Sequence, residues 1–326
     1  MYQNILKNVP ESEYNRELDD IRDLFQSFVR VMSSAVDART PYNLTHTRHM
    51  VEYGIRFVDH INRVCREQGK EERFSETHKN EFLMSIWLHD IGKIVTPLEI
   101  MNKDTRLRQD QYTEICRRME RIEMLTEIRE LKCEVSEKEK NMILEQVKEL
   151  RSLTDELNHV GDIDEQRLEK IERFRNEKYI DRDGSEQPWL TEEEAASLTI
   201  RRGTLTNAER EIMEAHVKTT DMLLSKIKFP KDLAHVREWA AGHHEFLDGS
   251  GYPKGLSGDQ IPYEVRMMTI LDIFDALIAD DRPYKPGIPI EPALDILTEM
   301  ADRDGKLDSE LVRLFIEGHC WKAQET

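Results

Sequence analysis

The sequence predicts an all-α fold, and three observations support that prediction. Apolar residues recur at intervals of three and four, as at Met50, Tyr53 and Phe57, which is the spacing of one helix face. Runs in which β-branched and polar residues alternate strictly are absent from the sequence, so no strand pair is predicted. The helical pattern is interrupted at 248–262, where four glycines and two prolines predict a structured loop.

Composition limits the possible function classes. The chain has 326 residues with a formal net charge of -18, which argues against DNA or RNA as a partner because nucleic-acid domains carry basic patches. A small phosphorylated ligand stays possible, since bound divalent cations can supply local positive charge. No apolar run reaches the length of a membrane span, and the first twenty residues do not have the order of a secretory signal.

The four cysteines do not follow a disulfide or zinc-binding pattern. They stand at Cys65, Cys116, Cys133 and Cys320, without CxxC spacing. Scattered free cysteines are typical of a reducing compartment, so the sequence predicts a cytoplasmic protein.

A long helical segment is predicted in the first half of the chain. Between Gly92 and Gly161 the only helix breaker is Pro97, and apolar residues keep helical spacing within Glu/Lys/Arg-rich surroundings. We expect two or three long amphipathic helices, as in a coiled-coil hairpin. The hairpin could serve as a dimerisation or signal-relay arm, or it could simply bury its own apolar seam.

This helical segment is interpreted as an insertion into one domain, because candidate catalytic residues lie on both sides of it. The expected organisation is an entry helix at 1–35, the first part of the domain at 36–104, the insertion at 105–195 and the second part at 196–326.

Several histidines and aspartates fall on the apolar faces of predicted helices. Five helices are expected to direct a histidine, an aspartate or a histidine pair inward. One inward histidine is commonly a hydrogen-bonded core residue, but a buried unpaired carboxylate costs several kcal/mol. Divalent metal ions explain the whole set, because imidazole suits Fe, Mn, Zn or Ni and a carboxylate can bridge two ions. The residues are His46, His89, Asp90, His216, His243, His244 and Asp272.

Three motifs resemble those of the HD-GYP phosphodiesterase family. They are HDIGK at His89–Lys93, HHEFLDGSGYP at His243–Pro253 and DIFDALIADDRPYK at Asp272–Lys285. The resemblance implies an HD-domain helical bundle with a GYP loop, into which the helical segment is inserted. It also implies two divalent metal ions, with iron or manganese as the usual occupants. Tyr42 stands where members with a third metal have a glutamate.

The resemblance assigns each metal ligand by position. It implies that one ion is held by His46, His89, Asp90 and Asp272, and that Asp90 bridges to a second ion completed by His216, His243 and His244.

Other residues are implied to contact the substrate. Lys93 would contact the scissile phosphate beside Asp90, while Arg282 and Lys285 would hold the other phosphate. Alternatively, these cations are solvated surface residues. Tyr252 would shape the rim of the site or stack on a guanine, or it would only anchor its loop.

Three more residues are expected to lie behind the ligands. Glu245 and Asp275 could orient neighbouring histidines by hydrogen bonds, or Asp275 could only cap local structure. His49 replaces the arginine that the family commonly has three residues after its first ligand histidine, and we expect it to alter the surroundings of the ligands without removing the site.

The implied function is metal-dependent hydrolysis of the 3′–5′ phosphodiester bond of a cyclic dinucleotide, with cyclic di-GMP as the first candidate and pGpG or GMP as the product. Two alternatives stay open: a signalling module that binds cyclic dinucleotides with weak or no turnover, and an HD phosphohydrolase acting on another nucleotide. A homodimer or an upstream sensor is a candidate partner through the helical insertion.

Overall fold

The computed structural model describes residues 11–40, 45–159, 161, 163–279 and 287–322. Those residues contain thirteen α-helices and two short strands, so the all-α prediction is confirmed. The chain divides into two compact units. Unit 1 combines Met1–Thr96 with Glu214–Thr326, and unit 2 is Pro97–Met213.

The helices and strands are joined by short connections, except for the long segment at 241–262 between α10 and α11. In chain order they are α1 (Glu11–Asp37), α2 (His46–Glu67), α3 (Glu76–Leu88), α4 (Leu98–Met101), α5 (Gln109–Leu131), α6 (Glu137–Asn158), α7 (Glu165–Asn176), β1 (Lys178–Ile180), β2 (Glu186–Pro188), α8 (Glu192–Leu198), α9 (Asn207–Leu224), α10 (Val236–Ala240), α11 (Tyr263–Ile278), α12 (Ile290–Asp302) and α13 (Ser309–Glu317). Short 3-10 turns lie at Ile91–Val95, Lys231–Leu233 and Gly258–Gln260.

The core of unit 1 forms where α2 packs against α3 and α11. The predicted face of α2 is buried, with Met50 and Phe57 fully inaccessible. The rings of Phe57 and Phe274 each meet Phe315 of α13 edge to face, with ring centres 5.4 and 5.1 Å away. Each such side chain contributes about 1.5–3 kcal/mol by leaving water, so this core holds α2 and α11 firmly in register.

Unit 2 is organised around a helical hairpin. Helices α5 and α6 run antiparallel, since Tyr112 near the start of α5 donates a hydrogen bond to Asp155 near the end of α6 (2.7 Å). A capping box formed by Ser136 and Glu139 starts α6. The seam is buried between the helices, together with residues of α7 and α8, and includes Ile115, Met119, Ile122, Val147 and Leu150. Of the two interpretations, the structure therefore shows the hairpin that buries its own seam.

One prediction about strands is wrong. β1 and β2 pair antiparallel, with Lys178 opposite Pro188 and Ile180 opposite Glu186. Each strand has only three residues, which is too short for an alternating pattern to be visible in the sequence. The turn between β1 and β2 brings the two strands together. In this turn Asp183 accepts a hydrogen bond from the Ser185 amide (2.9 Å), and Gly184 supplies a positive φ of 84°.

Two expectations drawn from composition can be compared with the structure. All four cysteines are free thiols. Among the described residues, no helix combines the length and the apolar character needed to cross a membrane.

Candidate metal centre

The predicted ligands reach one site, but not all from helices. His46 is the first residue of α2, His216 lies within α9, and Asp272 lies within α11. By contrast, His89 and Asp90 directly follow α3 and lead into a 3-10 turn, and His243 and His244 lie in the turn after α10. The expectation that each ligand stands on its own helix is therefore wrong for two of five segments, because the chain turns at both dyads.

Asp90 lies at the centre of the arrangement. Its Oδ2 is 3.2 Å from His89 Nε2, while its Oδ1 is 3.3 Å from His216 Nε2 and 3.9 Å from His243 Nε2. A carboxylate in contact with both sides of a site can bridge two cations.

A second aspartate connects the remaining histidines. Asp272 lies 3.3 Å from His46 Nε2 through Oδ1 and 3.7 Å from His244 Nδ1 through Oδ2. Two groups of three residues have ligand atoms within 4.8 Å of one another: His46 with His89 and Asp90, and His216 with His243 and His244.

The hydrogen bonds of two histidines determine which nitrogen can bind a metal. His89 Nδ1 lies 2.7 Å from the Ile86 carbonyl, and His243 Nδ1 lies 2.7 Å from the Ala240 carbonyl. A carbonyl can only accept, so both Nδ1 atoms donate and each neutral ring keeps its lone pair on Nε2. Both Nε2 atoms are buried without a hydrogen bond, as is Asp90 Oδ1. Unsatisfied buried acceptors of this kind fit a divalent metal ion.

Asp275 holds two histidines from behind the ligand set. Its Oδ2 lies 2.6 Å from His46 Nδ1, and its Oδ1 lies 3.2 Å from His49 Nδ1. Asp275 is buried, so these contacts lie in a medium where charge-assisted hydrogen bonds are strong. The expected orienting role of Asp275 agrees with this geometry, and His49 lies beside the same carboxylate.

Burial and neighbouring charges shift several pKa values in the site. Burial opposes the charged form of His46, but hydrogen bonds to Asp272 and Asp275 outweigh it and raise its pKa to about 10. A metal ion bound at His46 Nε2 would therefore displace a proton from the ring. Burial lowers the pKa of His244 to about 4 and that of His243 well below its usual value. At neutral pH the His243–His244 pair is therefore uncharged, which is the form that binds metal.

Lys93 forms an ion pair with the central aspartate. Its Nζ lies 2.6 Å from Asp90 Oδ2. Burial raises the pKa of Asp90 and lowers that of Lys93, but the opposite charges outweigh burial in both cases. The pKa of Asp90 thus falls well below its usual value, and the pKa of Lys93 rises. A carboxylate and an ammonium group are both present in the site at neutral pH.

Gly92 allows α9 to approach the His89–Asp90 turn. A Cβ at this position would lie 2.0 Å from the His216 carbonyl oxygen, so only glycine fits. The Gly92 amide donates to Thr220 Oγ1 (3.0 Å), and that hydroxyl donates to the His89 carbonyl (3.0 Å). Sequence reasoning missed Thr220, although it stands four residues after His216 on the same helix face.

The glycine-rich loop is held beside the histidine pair. The Tyr252 amide donates to the His244 carbonyl (3.1 Å), and the two rings lie 4.7 Å apart. Glu245 is buried and accepts hydrogen bonds from the amides of Lys254 (2.7 Å) and Leu256 (2.8 Å). The expectation that Glu245 orients a histidine is wrong, because its two oxygens hold the loop backbone. The Tyr252–Pro253 peptide bond is cis.

Two residues near the site were not anticipated from the sequence. Asp37 is buried at the end of α1 and accepts a hydrogen bond from Thr47 (3.1 Å); burial raises its pKa. Arg39 donates hydrogen bonds to the carbonyls of Lys93 and Thr96. Neither stands in a motif or on a predicted ligand face, so no local signal indicated them. The predicted substrate residues Arg282 and Lys285 lie outside the described residues, as does Tyr42.

Residues 193–311 match the family model described as HD domain. This stretch contains His216, His243, His244 and Asp272, whereas His46, His89 and Asp90 precede it. The match covers a little over a third of the chain.

Curated relatives show the same likeness. The chain is 45% identical over 97 residues to a 3′3′-cGAMP-specific phosphodiesterase 3 of Vibrio cholerae, covering 30% of this chain and 20% of the relative. It is 37% identical over 124 residues to the cyclic di-GMP phosphodiesterase response regulator RpfG of Xanthomonas campestris, covering 37% of this chain and 31% of the relative. It is 38% identical over 121 residues to a cyclic di-GMP phosphodiesterase of Thermotoga maritima, covering 37% of this chain and 32% of the relative.

These alignments span between a fifth and a third of the relatives' own lengths. They confirm the resemblance to HD-GYP phosphodiesterases that the three motifs indicated.

Proposed function

We propose that this chain is a metal-dependent phosphodiesterase that hydrolyses the 3′–5′ phosphodiester bond of a cyclic dinucleotide. Cyclic di-GMP is the proposed substrate, with pGpG or GMP as product. The relatives' names support a cyclic dinucleotide as the substrate class, and they include both cyclic di-GMP and 3′3′-cGAMP phosphodiesterases.

The observation that carries the proposal is the set of buried acceptors around Asp90. His89 Nε2, His243 Nε2 and Asp90 Oδ1 are inaccessible to water and make no hydrogen bond. An unpaired buried acceptor costs about 1–3 kcal/mol, so three together favour a site built for cations. The Nδ1 atoms of His89 and His243 already donate to backbone carbonyls, which keeps both Nε2 lone pairs directed toward Asp90.

The proposed ligand sets follow the two groups in the geometry. His46, His89, Asp90 and Asp272 would hold one divalent ion, and Asp90, His216, His243 and His244 would hold the other, with iron or manganese as the proposed metals. Such ions supply Lewis acidity toward phosphoryl oxygens and lower the pKa of water.

The protein's own groups then position and neutralise the substrate. Hydrolysis adds water to phosphorus and breaks its bond to the 3′ oxygen, which leaves with a proton. The Lys93 ammonium, 2.6 Å from Asp90, can neutralise phosphoryl oxygens as negative charge accumulates. Its side chain is 22% exposed, so it is accessible from solvent.

Tyr252 is proposed to form the rim of the substrate site. Its ring lies against His244, which leaves it close enough to contact a bound nucleotide. The loop amides held by Glu245 keep the ring in this position.

The test combines metal analysis with a product assay. Protein purified without oxygen is analysed for bound metal and incubated separately with cyclic di-GMP and 3′3′-cGAMP. We expect about two ions per chain and a linear or mononucleotide product from at least one substrate.

The matched variants are His89→Ala, which removes a proposed ligand, and His235→Ala, which removes a histidine that is 58% exposed. Turnover should be abolished only by the first. Wild-type turnover by metal-replete His89→Ala would overturn the metal proposal, and tight binding without product would favour the signalling-module alternative.

A further inference from the structure

A second group of ionisable residues lies on unit 1, away from the candidate metal centre. A cavity of about 410 Å³ is lined by Arg56, Arg63 and Arg66 of α2, by Lys322, and by His60 and His319. Asp59 is the single carboxylate among the described residues that line it. His60 follows His46 by fourteen residues on α2, which is about 21 Å along the helix.

The positive charge in this cavity is only partly compensated. Arg63 and Lys322 form no ion pair with any carboxylate in the described part of the chain. Asp59 is already paired with Lys79, and Arg56 and Arg66 pair with Glu52 and Glu72, which are 48% and 46% exposed. Exposed pairs of that kind contribute about 0–1 kcal/mol, so a bound anion of higher charge can replace the glutamates as the partner of these arginines. Four cations in one cavity are unexpected in a chain of net charge -18.

His60 orients the central arginine. The Arg63 guanidinium donates to His60 Nδ1 at 2.7 Å, because an arginine can only donate. The proton of the neutral ring is therefore on Nε2, which is buried without a hydrogen bond. Burial and then Arg63 lower the pKa of His60, so the ring stays neutral and adds no competing charge. Four of the five N–H donors of Arg63 make no hydrogen bond to the described residues.

The wall opposite α2 is closely packed. A Cβ at Gly318 would lie 2.7 Å from His60 Cγ, and His319 has a φ of 45°. His319 and Lys322 line the cavity together with the three arginines of α2.

We propose that this cavity binds a compact ligand that carries two adjacent phosphate groups. Guanidinium forks match phosphate oxygens bidentately, and a diphosphate supplies enough negative charge for three arginines and a lysine. The volume lies within the range of small-molecule sites, about 300–1,000 Å³. No Phe, Tyr or Trp is among the described residues that line the cavity, so recognition is directed at phosphate and not at a base. The proposal does not depend on the proposed phosphodiesterase activity.

The experiment is calorimetric titration with inorganic pyrophosphate at low ionic strength on the full-length chain. The test variant carries Arg63→Gln and Lys322→Gln. The control carries Arg202→Gln and Lys228→Gln, which remove an arginine and a lysine from exposed positions outside the cavity. Arg63 and Lys322 form no ion pair in the described structure, and a glutamine amide at position 63 can also donate to His60 Nδ1, so we expect all three proteins to have the same melting temperature.

The wild type and the control should bind pyrophosphate equally, and the test variant should bind at least about tenfold more weakly at this site. Any binding at the metal centre would be unchanged in all three proteins. Identical isotherms for all three would overturn the proposal. If sulfate binds as tightly as pyrophosphate and about 0.3 M salt abolishes both, the cavity takes an adventitious ion only, and the proposal is overturned as well.

Discussion

Asp275 engages two histidines with one buried carboxylate. It accepts from His46 Nδ1 and lies beside His49 Nδ1, so it acts on the proposed ligand set through His46. A group that orients a ligand histidine typically changes metal affinity 10–100-fold when it is removed. The identity of residue 275 therefore matters as much as that of some ligands.

We predict that Asp275→Asn weakens metal binding by about 10–100-fold. The asparagine keeps one acceptor oxygen but directs an NH₂ group at the second histidine, which then loses its acceptor. Metal affinity is measured by competition with a chromogenic chelator.

The control is Asp295→Asn, an exposed position on α12, which should leave the affinity unchanged. Wild-type affinity in Asp275→Asn would show that His46 is oriented by packing alone.

At the scale of elements, the site depends on how closely α9 approaches the turn after α3. Gly92 and Thr220 form this contact through two 3.0 Å hydrogen bonds. Because His216 belongs to α9 and Asp90 to the turn, the same contact sets their 3.3 Å separation.

Gly92→Ala is predicted to destabilise the protein by at least about 1–3 kcal/mol, as overpacking does. The new methyl group would collide with backbone atoms of α9, so the helix must shift and carry His216 with it. Urea unfolding gives the stability, and chelator competition gives the metal affinity.

Gly161→Ala serves as the matched substitution, since a Cβ there meets nothing within 4 Å. If Gly92→Ala and Gly161→Ala unfold at the same urea concentration, the close approach of α9 is not required.

The helical hairpin has an apolar core of its own. Leu150 of α6 is fully buried, whereas Leu131 at the end of α5 is 82% exposed. The hairpin's stability should therefore depend on residues at helical spacing that face the seam.

Leu150→Ala should lower the free energy of unfolding by about 2–5 kcal/mol, while Leu131→Ala should change it by less than about 0.5 kcal/mol. Both are measured by chemical denaturation followed by circular dichroism. Equal effects of the two substitutions would mean that the seam is not packed as described.

At the scale of the whole molecule, one region carries a local charge opposite in sign to the net charge of the chain. The chain carries 65 acidic and 47 basic residues, yet four cations lie together in the cavity beside the C-terminal half of α2. Two carboxylates, Asp90 and Asp272, are concentrated at the candidate metal centre of the same unit. Anionic and cationic sites are thus kept apart within unit 1.

Removal of metal is predicted to lower the melting temperature of the protein. Ions that bind only the folded state stabilise it by about 4 kcal/mol at a thousand times their dissociation constant. Scanning calorimetry before and after chelation measures the shift, and adding metal back should restore it.

Asp90→Ala is the matching control, because its melting temperature should not respond to the chelator. A chelator-induced shift of the same size in Asp90→Ala would place the stabilising metal somewhere else.

Much of this protein could be predicted from local sequence patterns. Helical spacing predicted the buried face of α2, the seam of the hairpin and the inward histidines and aspartates. The resemblance carried by the HD, HH and GYP motifs then implied which of them would hold each metal ion. The short strand pair was missed because a three-residue strand has no visible period. The predicted roles of Arg282 and Lys285 stay predictions, since both residues lie outside the described part of the chain. Glu245 was misassigned because its partners are backbone amides, which carry no side-chain signal.

The sequence by itself determined the all-α class, the inward histidines and aspartates, and the glycine-rich loop, because each depends on residue types at short spacing. Only the tertiary structure decided that Asp275 holds His46 from 229 residues away, that Gly92 receives α9, and that Lys322 completes a cavity with the arginines of α2. Those contacts join segments far apart in the chain. They depend on how helices pack against one another, which no local period encodes.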